Sequence, residues 1–353
     1  MRLATVTHFS LLPSLTLRLL AVVIASISLL LMSCGGGSDP NKITVQLDWT
    51  PNTNHLGIYV ALAQGWYEAA GLDVEILPYT DVAPDTIVAA GQADFGVSFP
   101  PQVVFSRAAG LDIISVAAVM QRSVTELAVL DSSDIRRPRD FDGRVYAGFG
   151  LPYEEPQIST VIKADGGQGN FDTATLSTAA YEAIYNRRAD FTEIFTAWEG
   201  IEAELRGIKL RTFRYDNYGV PDIYSVVLIA GTEALSERAD DYRRFLDITR
   251  RGYEFAAQNP AEAARVFLEY PALRDLFPEP EMVRRSAAML APIYMAGVER
   301  WGGQDEAKWD AYMDWLVGSG VVTDDKDQPV TQLRGGRLFT NQLLTDPNAS
   351  STP

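Results

Sequence analysis

Four short clusters in this 353-residue chain carry side chains able to grip a flat, polar, conjugated molecule. Asp48 and Trp49 lead the first cluster, and Asn54 and His55 follow within a turn of them. Ser98 and Gln102 make the second, Tyr153 and Glu154 the third, and Glu193, Trp198 and Glu199 the fourth. An indole or phenol ring stacks on a heterocycle and contributes about 0.5–1.5 kcal/mol beyond simple burial. Asp48 suits a ring-edge hydrogen bond or the cap of the segment after it. Asn54 reads as a helix cap, which leaves His55 to face a ligand. Ser98 and Gln102 donate and accept without charge, as an imide-like edge requires. Tyr153 offers a second stacking face, and the turn ending at Glu154 offers backbone N–H groups to an anion or a hydroxyl. Trp198 stands where it would oppose Trp49 across a closing cleft.

Glu193 and Glu199 also read as an acid and base pair, which makes an extracytoplasmic enzyme the rival from another class. Nothing else supports catalysis. The sequence has no GxSxG elbow, phosphate loop or HExxH motif. His8 and His55 are its histidines and Cys34 its one cysteine, so no His/Cys metal spacing exists. No enzyme activity, metal or cofactor is expected.

The elements that position these clusters alternate. Lys42 to Asp48 alternates apolar and polar side chains as a strand does. Asn54 to Ala70 has helical spacing, with Gly71 as its stop. Leu72 to Leu77 is strand-like, Pro84 to Gly91 helical with Asp85 near its start, and Asp94 to Ser98 a short buried strand. Residues 101–110 are helical and Ile113 to Met120 extended. The pattern resumes with strands at 142–147 and 189–195 and helices at 154–163 and 179–187. A strand at 224–230 precedes the long amphipathic helix of 236–258, and the last third is mainly helical. Strand–helix alternation implies βαβ units and largely parallel sheets. The expected fold class is α/β, a bilobal periplasmic-binding-protein-like fold. Ligands of such sheets sit beyond the carboxyl ends of the strands, where all four clusters fall.

The N-terminus reads as an export leader. Arg2 and Arg18 precede the apolar run from Leu19 to Met32, which is too short for a comfortable span of about 20 residues. Leu31-Met-Ser-Cys34 resembles a bacterial lipobox, so Cys34 is the expected site of lipid attachment, and the body is placed outside the cytoplasm, tethered to the membrane. The expected organisation is a leader over 1–33, a flexible spacer over 34–41, one lobe from 42–128 plus 226–345, a second from 129–225, and a disordered tail over 346–353. The crossings between lobes are expected near 125–140 and 218–226. The chain has 46 Asp and Glu against 30 Lys and Arg, a net −16. The leader takes two of the arginines, so the body is more acidic still. A nucleic-acid partner is excluded, because phosphate binding needs a basic surface.

The clusters also lie in longer blocks. Leu47-Asp-Trp-Thr-Pro-Asn-Thr-Asn-His55, continuing through Gly57 and Tyr59, resembles the opening motif of solute-binding proteins for thiamine pyrimidine precursors. Asp94-Phe-Gly-Val-Ser98, Ala197-Trp-Glu-Gly-Ile-Glu202, Tyr218-Gly-Val-Pro-Asp222 and Phe339-Thr-Asn341 resemble further blocks of that family. The resemblance implies type II topology and a binding protein that hands a small vitamin-type ligand to an ABC permease and its ATPase. One branch of the family binds pyrimidine precursors, of the formylaminopyrimidine or hydroxymethylpyrimidine type, and another binds riboflavin. An enzymatic eukaryotic branch uses a His, a Lys-bound pyridoxal phosphate and a cysteine-rich iron motif. This chain has no cysteine cluster, which sets that chemistry aside. Where pyrimidine binders resemble Ser-Tyr-Gln-Glu-Gln, this chain has Ser98-Phe-Pro-Pro-Gln102, with Pro101 in place of a carboxylate. That exchange favours a broader, less basic ring, so riboflavin is the first expected ligand and a pyrimidine precursor the second.

Overall fold

The computed structural model describes residues 41–333 and 337–344. The leader, Cys34, most of the spacer and the tail lie outside the described residues.

Two five-stranded sheets organise the body. In the first, β1 (Lys42–Gln46) lies between β2 (Asp73–Leu77) and β3 (Phe95–Ser98), parallel to both. Ile43 and Val45 are fully buried, as the alternation of this segment dictates. β4 (Ile114–Ala118) stands at the far edge, and β10 (Val227–Ala230) enters antiparallel between β3 and β4. The second sheet repeats the plan. β6 (Val145–Gly148) pairs parallel with β7 (Asp172–Thr175) and β8 (Phe191–Phe195). β5 (Thr125–Leu130) enters antiparallel between β8 and the edge strand β9 (Leu210–Arg214). Each sheet thus takes its antiparallel strand from the segment that has just crossed from the other lobe. β5 belongs wholly to the second sheet, so the first crossing occupies 119–124, ahead of the 125–140 region expected for it, and the boundary drawn at 128 cuts a strand. Thr125–Leu130 lies where the crossing between lobes was expected.

The first helical stretch is broken. A single turn at Thr53–His55 leads into α1 (Leu56–Ala63), and Gly65, at φ 65°, reverses the chain before α2 (Trp66–Ala69). α1 is buried on nearly every side because α9 (Ala239–Gln258) lies against it. Glycine at the crossing permits this. A Cβ on Gly252 would stand 2.0 Å from the Gly57 carbonyl oxygen. Helices α10 (Pro260–Glu269) and α11 (Pro280–Tyr294) complete this face. The late Phe339-Thr-Asn341 block runs along edge strand β4. Ser115 donates its N–H to Leu338 O at 2.8 Å and accepts from Thr340 N at 2.9 Å.

The two crossings run side by side, with Val119 N–H donating to Val226 O at 2.9 Å. Lys308, on α12 (Glu306–Gly318), holds both. Its ammonium donates to Gln121 O at 2.6 Å and to Asp222 Oδ2 at 2.9 Å, over the Tyr224 ring. Away from this hinge, the π-helical turn Thr196–Gly200 of lobe two docks on α11 of lobe one. Ala197 is buried in the lobe-one core, and Arg285 pairs with Glu204 across the seam.

Candidate functional site

A cavity of roughly 370 Å³ opens between the lobes, at the size of small-ligand sites. Asp48, Trp49, Asn54, Ser98, Gln102, Tyr153, Glu193, Trp198 and Glu199 all line it. The cause is topological. β1, β3, β6 and β8 end at this crevice, so the segments that follow them converge although they are far apart in sequence.

Trp49, 40 % exposed at the mouth, meets Tyr79 edge-on at 4.8 Å. Trp198 meets Phe277 of lobe one edge-on at 6.1 Å. Phe99 and Phe195 face each other from opposite lobes at 6.1 Å, and Tyr153 lies nearly parallel to Phe105 at 6.4 Å. Aromatic walls on both lobes leave a slot suited to a planar ring.

His55 and Glu154 do not line the cavity. His55 is fully buried. Its Nδ1 accepts from Asn52 N–H at 3.1 Å, which places the proton on Nε2, and Nε2 donates to Asp48 Oδ1 at 2.7 Å. The expectation that His55 meets ligand is therefore corrected: it orients Asp48, which does line the cavity. Asn52, not Asn54, caps the turn, its Oδ1 accepting from Asn54 N–H at 2.8 Å. Glu154 turns back into its own loop. Its carboxylate accepts from the N–H groups of Phe149, Gly150 and Leu151 at 2.8–2.9 Å and from the Tyr146 hydroxyl. Those N–H groups are occupied, so the anion site expected at this turn is closed.

Glu193 and Glu199 line the cavity and are half-buried. Burial raises both carboxyls to about 7. The Tyr215 hydroxyl offsets part of the rise for Glu193, while nearby Glu154 and Glu199 add to it. Glu199 is moderated by backbone N–H groups, including that of Phe195 at 3.0 Å, and by Tyr181. Two acids poised near neutrality can accept N–H groups from a ligand or hold a shared proton. Arg214, the basic side chain in this wall among the described residues, is already paired with Asp216 at 2.7 and 2.9 Å. The cavity therefore suits a neutral or protonated ligand rich in N–H donors better than an anion.

Sequence reasoning overlooked Asp85, Gln157, Tyr181, Tyr215 and Tyr312 as cavity residues. Asp85 was read as a helix-start residue, and the others had no local signal because tertiary folding alone brings them in. Three or more His, Cys, Asp or Glu placed to hold a metal are absent among the described residues.

Two α/β lobes of this strand order, hinged by paired crossings and enclosing one crevice, make a periplasmic-binding-protein-like fold. The chain belongs to the NMT1/THI5-like family, whose model matches residues 52–263. It is 28 % identical over 307 residues to a protein of Halalkalibacterium halodurans named formylaminopyrimidine-binding protein, covering 82 % of this chain and 90 % of that one. It is 21 % identical to a Schizosaccharomyces pombe protein named 4-amino-5-hydroxymethyl-2-methylpyrimidine phosphate synthase, covering 65 % and 70 %. The fold is also that of the alkanesulfonate-binding protein SsuA of Xanthomonas axonopodis pv. citri, with a TM-score of 0.63 at 14 % identity, covering 85 % and 98 %. No helix among the described residues is long and apolar enough to cross a membrane.

Proposed function

We infer that this chain is the solute-binding component of an ABC importer, and that it captures a small aminopyrimidine of the thiamine-precursor type between its lobes. The observation that carries this is the cavity itself: aromatic walls from both lobes around two carboxyls held near neutrality, with no unpaired cation among the described lining residues. A 4-aminopyrimidine offers the matching edge, an exocyclic amine beside ring nitrogens. The name of the Halalkalibacterium relative supports the same ligand class. This reverses the order read from the sequence, which placed riboflavin first. Pro101 does stand in the cavity wall, but Glu193 and Glu199 supply the carboxylates whose loss there argued for a flavin.

The mechanism is capture and closure. A ligand that touches both lobes favours the closed arrangement through its differential contacts, and the closed pair of lobes offers its surface to the permease. Cys34, lipid-modified after removal of residues 1–33, would keep the protein at the outer face of the membrane. Glu193 and Glu199 act here as acceptors and not as a catalytic pair.

Isothermal titration of the mature chain with formylaminopyrimidine and with riboflavin tests this. Micromolar or tighter binding of the pyrimidine, recovered unaltered, is expected. Riboflavin bound with quenched fluorescence and no heat from the pyrimidine would restore the flavin reading, and turnover of the pyrimidine would restore the enzyme.

A further inference from the structure

The lobe-one wall of the cavity holds an acid that the aromatic slot does not explain. Asp85 lies in that wall and is 1 % exposed. The Ser98 hydroxyl donates to its Oδ2 at 2.7 Å. Its Oδ1 has no hydrogen-bond partner among the described residues. Among those residues no Lys, Arg or His forms an ion pair with it. Burial pushes the carboxyl up, and the Ser98 and Ser106 hydroxyls and its own backbone N–H only partly offset this. A buried carboxyl oxygen without a donor is a costly feature that folded proteins seldom keep without use. Two more buried oxygens without partners line the cavity from elsewhere, Gln157 Oε1 from lobe two and Ser225 Oγ from the returning crossing, on residues 8 % and 6 % exposed.

We propose that Asp85 is a specificity-determining residue of lobe one, its free Oδ1 accepting an N–H from the amino edge of the bound ring. The inference rests on the aminopyrimidine reading. It deepens that reading by making recognition two-sided, with Glu193 and Glu199 on lobe two and Asp85 on lobe one. Pro101 then matters less as a lost acid, because the same wall carries another. Ser98 is a positioning residue in this arrangement: its hydroxyl fixes Oδ2 and so aims Oδ1. A carboxyl that accepts from an amine discriminates against the corresponding oxo ring, which presents a carbonyl oxygen at that edge and sets acceptor against acceptor.

The test measures affinity for formylaminopyrimidine and for its 4-oxo analogue by titration, on the mature chain and on Asp85→Asn, with thermal unfolding alongside. Asp85→Asn keeps the shape and is expected to weaken the amino ligand by about 10- to 100-fold. The preference for amino over oxo should shrink or reverse, because the amide nitrogen can donate to the oxo group. Unfolding temperature should hold or rise. Equal affinity within twofold for the amino ligand, or equal losses for both ligands, would make Asp85 a purely structural acid and overturn the proposal. If Asp85→Asn does not fold, Ser98→Ala decides: a loss of amino-over-oxo preference supports the proposal, and an unchanged preference overturns it. Failure of the unaltered chain to bind the pyrimidine at all removes the functional reading, and this inference with it; failure of the variant alone to respond removes only the inference.

Discussion

Glu193 and Glu199 set the pH behaviour of the site. Each carboxyl stands at about 7 in the folded chain, against an ordinary 4.5. The folded state then binds protons more tightly than the unfolded state between those values. Their contribution to stability is whole below pH 4.5 and is lost as pH rises through about 7. Unfolding temperature without ligand should therefore fall over that window, and Glu193→Gln should flatten the slope; an unchanged slope in the variant would show that Glu193 titrates normally. Under the proposed function, Trp49 and Trp198 are the indoles that would stack on the ligand, and both line the cavity. Trp49→Ala and Trp198→Ala should each weaken the bound heterocycle by roughly 5- to 50-fold, since lost ring burial adds to the stacking term. Titration that finds both variants unimpaired would end the slot account.

At the scale of elements, two local devices hold the site's scaffold. The Glu154 carboxylate gathers three N–H groups of the turn before α5 (Glu154–Ala164) and the Tyr146 hydroxyl. Glu154→Ala leaves the Tyr146 hydroxyl buried without this partner and frees three N–H groups of a partly exposed turn, and should cost about 1–3 kcal/mol in denaturant unfolding; a loss below about 0.5 kcal/mol would mean that water replaces it. The α1–α9 crossing depends on Gly252, where a Cβ would lie 2.0 Å from backbone. Backbone cannot rotate aside as a side chain can. Gly252→Ala should therefore destabilise by about 3 kcal/mol or more, while Gly297→Ala, with open space around it but φ 78°, should cost about 1 kcal/mol. Comparable losses in both would place the penalty in backbone conformation and not in the crossing.

At the scale of the molecule, Lys308 bridges both crossings, and the Asp222 carboxylate of one also accepts from Ser123 N–H of the other at 3.4 Å. Lys308→Met removes a charge-assisted contact to each and leaves Asp222 beside the cavity without its cation. The expected result is a looser hinge: a larger radius of gyration in scattering without ligand, and ligand affinity reduced several-fold with the contact residues intact. Unchanged scattering and affinity would make Lys308 an ordinary ion pair. The same closure joins Trp198 to Phe277 and Arg285 to Glu204, so the seam opposite the hinge has both an apolar and a charged contact.

The α/β alternation, the strands at 42–48 and 94–98 and the helix from Glu154 were legible because apolar periodicity is local. So was the convergence of the four clusters on one crevice, because in this architecture the segments after the strand ends meet there, although His55 and Glu154 turn away from it. The sequence alone also determined the acidity of the body and the absence of a cysteine cluster. Tertiary structure decided what each cluster does. His55 and Glu154 have the residue types of a site, yet their partners, Asn52 and Asp48 for one and Tyr146 with three N–H groups for the other, take up their polar atoms. Asp85 stands in the first turn of the helix Pro84–Ala89, as its sequence reads, and also lines the cavity because β3 brings Ser98 against it. Thr125–Leu130 falls where the crossing between lobes was expected, and is an inner strand because β8 and β9 supply its hydrogen bonds. Periodicity along a chain reports which face is apolar, whereas the partner of a polar group is set by segments that approach only when the two lobes fold.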